Sequence, residues 1–195
     1  MQQVGYGGVN QTNHALLWTG TAGSAVDLHP TKLADFHDSF AFGVGGGEQV
    51  GYGERSPFTS PSDYHALLWH GTADSAVDLS PTKLSGIISS LAEMTNGQIH
   101  VGHGVKQLGP NQYAQHALLW SGTADSAVDL NDLLPSDLTD SAAFSIDAAG
   151  NVSGVGLDAA GNVHAVEWVP TPEPSSGLLL ISGAVLALRR RRLTP

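Results

Sequence analysis

Four histidines stand at near-constant intervals: His14, His65 and His116 are 51 residues apart, and His164 follows in the same motif. A ring of imidazoles could ligate a metal ion. One histidine per unit favours a structural role instead, because equivalent side chains of adjacent units sit far apart; each imidazole is expected to bond the backbone of a neighbouring unit. Trp18, Trp69, Trp120 and Trp168 hold a fixed place in the same motif. Exposed, they would stack on sugars; buried, they would pack unit on unit, which is the expected role. Asp27, Asp78 and Asp129 recur with them, and Asp74 and Asp125 form a second acidic series that Gly23 interrupts in the first copy. Asp147–Asn151 and Asp158–Asn162 lack the alternating acidic ligands and closing glutamate of a calcium loop, so they read as turns and no metal site is expected.

Catalysis asks for a unique constellation, such as two carboxylates at a set separation or a nucleophile beside its base. The acids here are mostly repeated copies, no serine sits in a nucleophile elbow, and no glycine-rich loop leads to a phosphate-binding lysine or helix. No catalytic residue and no cofactor is expected. Ligand specificity is sought in residues that differ between copies. The connections 8–13, 54–64 and 105–115 vary in length and sequence, and Arg55, Phe58, Tyr64, Lys106 and Tyr113 there are candidates for a sugar- or protein-binding rim.

The elements that hold these residues follow from the repeat. HALLWTGTAGSAVDLHPTKL, HALLWHGTADSAVDLSPTKL and HALLWSGTADSAVDLNDLLP begin at His14, His65 and His116, and a degenerate HAVEW begins at His164. VGYG, QVGYG, HVGHG and VSGVG keep the same phase, preceded by SFAFGVGGGEQ, SSLAEMTNGQI and SAAFSIDAAGNV. In His-Ala-Leu-Leu-Trp the alternation puts histidine, leucine and tryptophan on one face and alanine and leucine on the other, so both faces should be covered. Short strands with turn residues at about ten-residue spacing form antiparallel meanders, and periods of about 40–50 residues mark propeller blades. The expected fold is all-β: a propeller-like array of about four antiparallel units over residues 1–169. The first unit lacks its opening strand and the last its closing strand. An open arc, or a piece of a larger propeller, fits this count; a β-solenoid is the alternative.

Composition narrows the partners. Through residue 173, eighteen acids face four cations, Lys32, Arg55, Lys83 and Lys106, a formal charge of −14. Such a surface disfavours nucleic acid and anionic lipid and suits solubility outside the cell. Without cysteine there is no disulfide framework or thiol nucleophile.

The C-terminus is of another kind. A polar linker, 170–176, carries Pro172-Glu173-Pro174; an apolar run follows over 177–188; Arg189, Arg190, Arg191 and Arg192 close it. As a helix the run spans roughly 18 Å against a hydrocarbon core of about 30 Å, short for a permanent anchor. The arginines favour a cytoplasmic C-terminus, with the body on the far side of the membrane. The start, Met1-Gln-Gln-Val-Gly-Tyr-Gly, has neither a basic region nor an apolar stretch and reads as mid-strand, which points to a truncated gene or a misplaced start.

This tripartite tail resembles the PEP-CTERM sorting signal of Gram-negative bacteria that make exopolysaccharide. The resemblance implies processing near Pro172–Pro174 by a membrane protease of the exosortase class, after transient anchoring through 177–188 as a short hydrophobic helix, and release to the cell surface or beyond. Residues 2–168 resemble the extracellular HAF-repeat family, with Leu16, Leu67 and Leu118 where the family carries phenylalanine. That resemblance implies a secreted β-rich repeat protein. The expected function is an exported surface or matrix protein that binds or builds, with exopolysaccharide or surface proteins as partners. A propeller enzyme acting on polysaccharide and a fragment of a longer repeat protein are the alternatives.

Overall fold

The computed structural model describes residues 1–33, 35–55 and 63–171; the sorting residues Pro172, Glu173, Pro174 and Arg189–Arg192, the apolar helix expected over 177–188 and the rim residue Phe58 lie outside them. The described chain is all-β, in four antiparallel sheets, none closed on itself. Sheet one holds β1 (Gln3–Val9), β2 (Thr12–Trp18) and β3 (Val26–Asp27). Sheet two holds β4 (Asp38–Gly45), β5 (Glu48–Glu54), β6 (Tyr64–Trp69) and β7 (Val77–Asp78). Sheet three holds β8 (Ile87–Thr95), β9 (His100–Gly109), β10 (Gln112–Trp120) and β11 (Val128–Asp129). Sheet four holds β12 (Leu138–Ile146), β13 (Val152–Asp158) and β14 (Val163–Trp168). Each is a meander in chain order; among the described residues sheet one has no opening strand and sheet four no closing strand, in line with the repeat count.

The Gly-Thr-Ala-x-Ser that follows each tryptophan is a turn. Gly20, Gly71 and Gly122 take φ of 93°, 83° and 88°, conformations a side chain resists. The hydroxyls of Ser24, Ser75 and Ser126 then donate to the carbonyls of Thr21, Thr72 and Thr123 at 2.6 Å each, pinning a short 3₁₀ turn that delivers the closing strand. Asp147–Asn151 and Asp158–Asn162 are turns, as expected: Asp147 accepts from the N–H groups of Ala149 and Asn151, and Asp158 from those of Ala160 and Asn162.

The sheets pack in sequence order, with β4, β8 and β12 side by side along one flank of the array. Three cores lie between them and use the same positions. Ala15, Leu17, Leu28, Ala41 and Trp69 fill the first, Ala66, Leu68, Leu79, Ala92 and Trp120 the second, and Ala117, Leu130, Ala143 and Trp168 the third. Both faces of the His-Ala-Leu-Leu-Trp strands β6 and β10 are therefore covered, tryptophan toward the preceding sheet and alanine toward the next, while β2 is covered on its alanine face alone. A polar peg crosses each core. The N–H groups of Ala15, Ala66 and Ala117 donate to the hydroxyls of Ser39, Ser90 and Ser141 on the next opening strand at 3.0, 3.1 and 2.9 Å. The closing strands are only two residues long, and the serines give these N–H groups the partner a longer ladder would supply.

An exposed clip spans two of the junctions. The Thr31 hydroxyl donates to Asp74 and Lys32 Nζ lies 3.1 Å from the same carboxylate; Thr82 and Lys83 treat Asp125 in the same way, again at 3.1 Å. Pro-Thr-Lys and the second aspartate of the block are thus two halves of one device. Gly23 replaces the aspartate in sheet one, where no described sheet presents a Thr-Lys pair to it.

Candidate functional site

The opening strands carry a defect that the alternating pattern conceals. In β4 the register against β5 slips between Ala41 and Gly43, in β8 against β9 between Ala92 and Met94, and in β12 against β13 between Ala143 and Ser145. Each slip is a β-bulge, and the residue left unpaired is Phe42, Glu93 or Phe144. Bulges bend a strand and re-aim a side chain. Here all three turn to the flank where the opening strands lie. With Tyr6 of β1 they line one open concavity of about 580 Å³, floored by Val4, Ala41 and Met94. Tyr6, Phe42 and Phe144 are 55%, 41% and 46% exposed, unusual for aromatics on a surface with so few of them.

Glu93 gives the concavity its one carboxylate among the described lining residues. Burial holds its pKa above the ordinary glutamate value. His103 stands behind it, Nδ1 3.9 Å from Glu93 Oε1, too long for a hydrogen bond, and that buried nitrogen has no other partner among the described residues. The imidazole also meets the Phe144 ring edge-on at 6.4 Å. A further aromatic run, Tyr6–Phe40–Tyr52–Tyr64, extends from the concavity with ring centroids 4.8, 4.8 and 4.9 Å apart.

The repeated histidines lie elsewhere and act otherwise than the sequence suggests. They do not bond a neighbouring unit's backbone. His14, His65 and His116 pair within their own sheets with Asp27, Asp78 and Asp129, Nδ1 to Oδ2 at 2.7, 2.8 and 2.8 Å. A carboxylate only accepts, so Nδ1 carries the proton and donates. His164, with no closing strand beside it among the described residues, reaches the turn residue Asp158 through Nε2 at 3.1 Å. No group of three or more histidine, aspartate or glutamate side chains is placed to hold a metal among the described residues. Trp69 and Trp120 are fully buried and Trp168 nearly so, its indole N–H donating to the Leu130 carbonyl at 3.1 Å, so these three offer no face to a sugar. Trp18 is half-buried.

Three of the described rim candidates are engaged. Arg55 reaches Asp78 at 3.4 Å and lies over the Phe36 ring, Lys106 donates to Asp129 at 3.1 Å, and Tyr64 packs on Tyr52; Tyr113 is exposed. Arg55 and Lys106 therefore complete the histidine–aspartate pairs of their own sheets. Comparison with protein-family models, with curated proteins and with solved structures gives no match for this chain.

The buried His100 and the largely covered His103 predict a pH response. Burial pushes His103 down to about 4, and burial with the nearby His70 charge does the same to His100. A histidine whose folded pKa is depressed stays neutral in the fold while the unfolded chain takes up a proton. Stability is therefore complete above about pH 6.5 and falls as the pH drops toward 4, by up to about 3 kcal/mol for each group. Glu93 works the other way, since its raised pKa makes acidification favourable at that one site. Thermal melting should show a lower Tm at pH 5 than at pH 7.5. His103→Tyr, which installs the residue that Tyr6 and Tyr52 supply at the equivalent positions, should shrink the difference; an unchanged difference would show that His103 does not carry it.

Proposed function

We propose that this chain is an exported surface or matrix repeat protein that works by binding, its four sheets forming a propeller-like arc and residues 172–192 serving as its sorting signal. The observation that carries the binding reading is the convergence of Tyr6, Phe42, Glu93 and Phe144, one from each sheet, on a single concavity. Three of them are bulge residues, and bulges gather next to functional sites. The propeller-like reading is supported by sequential packing of four meanders with their opening strands adjacent.

The distribution of acids favours binding over glycoside hydrolysis, which asks for two carboxylates about 5–10 Å apart across the scissile bond. Asp27, Asp78 and Asp129 recur once in each of sheets one to three, each hydrogen-bonded to a histidine. The tail supports export through its resemblance to an exosortase-processed signal, and the acidic body suits life outside the cell.

Two measurements test the reading. Fused to a host export leader and expressed in a host that holds an exosortase-class protease, the full chain should lose its C-terminus near Pro172–Pro174, seen by mass spectrometry of the surface fraction; an exported chain with an intact C-terminus retained in the inner membrane would overturn the sorting proposal. On a glycan array the full chain should retain ligands without shortening them; release of shorter products would favour the enzyme.

A further inference from the structure

We propose that the concavity formed by Tyr6, Phe42, Glu93 and Phe144 is a site for an organic ammonium group, presented on an amino sugar or as a quaternary amine. The proposal rests on the binding reading above and names the chemistry that the site selects.

Three aromatic side chains and one carboxylate surround the space. The faces of phenylalanine and tyrosine rings carry the negative end of a quadrupole and attract cations, more strongly as the cation sheds water. A carboxylate in the same wall adds a full charge. A neutral sugar would use the rings but leave Glu93 to make an ordinary hydrogen bond. An anionic polymer would meet Glu93 and a body of −14, which oppose it, whereas the same field gathers cations. The concavity is open and wider than a lone ammonium, so the group can arrive on a larger body such as a sugar.

The way the site is built argues that its composition is not incidental to packing. Each bulge costs a ladder pairing, and in each case the released residue goes to the open flank rather than into a core. The identities there are Phe, Glu and Phe, while the preceding residues Ala41, Ala92 and Ala143 are the same in the three units that have an opening strand, and are buried. The repeat thus keeps the frame constant and varies the one side chain aimed outward.

The experiment uses the full chain and three probes in calorimetry: a glucosamine tetramer, its fully N-acetylated counterpart, and choline. The expected result is saturable binding of the glucosamine tetramer, of choline, or of both, with at least a tenfold weaker response to the acetylated tetramer. Which ammonium ligand binds identifies its source. Glu93→Gln should weaken the bound probe about tenfold or more. Phe42→Ala and Phe144→Ala should each weaken it severalfold while the protein stays folded, with only a small fall in Tm because neither ring lies in a core. Equal affinity for acetylated and free tetramers, lost on Phe144→Ala, would overturn the ammonium assignment and leave the binding reading standing. Binding that survives Phe42→Ala, Phe144→Ala and Glu93→Gln, or no binding of any probe, would overturn the site.

Discussion

Gly102→Ala should cost about 3 kcal/mol or more and leave little folded protein, while Gly5→Ala, the equivalent change in sheet one, should leave stability within about 0.5 kcal/mol. The two glycines share a repeat position and differ in what faces them. At Gly102 a Cβ would stand 2.8 Å from the Cα of Ala92 and closer still to the Leu91 carbonyl oxygen. Gly51 and Gly154 are the same case, with Cβ positions 2.9 and 3.0 Å from the Cα atoms of Ala41 and Ala143. All of these neighbours are backbone of the opening strand at its bulge, so no rotamer change relieves the clash. Without an opening strand beside it, Gly5 offers its Cβ only the Trp18 ring, 3.4 Å away, an ordinary contact. Losing a glycine also stiffens the unfolded chain and contributes a little stability wherever the fold tolerates it. Denaturant unfolding of the two variants beside the parent decides the matter. Similar midpoints for both would mean that the bulge can shift to accept a side chain, and the strand would then no longer aim Glu93 as described.

The same glycines explain why the site was hard to read from sequence. Val-Gly-Tyr, Val-Gly-His and Ser-Gly-Val announce a strand at the right period, and the strand count and missing end strands follow from it. A glycine that admits a bulge on its neighbour looks no different from one in a weak strand. Positions 42, 93 and 144 carry Phe, Glu and Phe in turn, so the site residue is not one that recurs in every copy, and it sits on a strand rather than on the variable connections. The pairing of His14, His65 and His116 with Asp27, Asp78 and Asp129 had a signal, a 13-residue separation recurring three times. It was obscured because the partners lie on either side of the Gly-Thr-Ala turn, and only the β2–β3, β6–β7 and β10–β11 registers place them on one face.

The histidine–aspartate pairs should form a graded series under mutation although their sequences are nearly identical. Asp129→Ala should destabilise the protein by about 3–5 kcal/mol. Asp129 and His116 side chains are only 3% and 7% exposed, so the change strands the His116 N–H and the Lys106 ammonium beside an apolar methyl. It also removes the acceptor for the Asn131 N–H, which caps the 3₁₀ turn that follows. Asp78→Ala should fall between, since its carboxylate is 26% exposed and Arg55 can swing to solvent. Asp27→Ala should cost about 1 kcal/mol or less, because Asp27 is 51% exposed and water replaces what the carboxylate gave. Acid titration supplies an independent check. Burial raises the Asp129 pKa, but hydrogen bonds and charge from His116 and Lys106 outweigh it and hold the group below the usual carboxylate range. An acid with a depressed folded pKa contributes stability that is complete above its unfolded value and lost as the pH falls through the folded one. The parent should therefore lose a further increment of stability below about pH 4 that Asp129→Ala lacks and Asp27→Ala keeps. Equal costs at the three aspartates would mean that burial does not set the strength of the pair, and the repeated motif alone would then account for it.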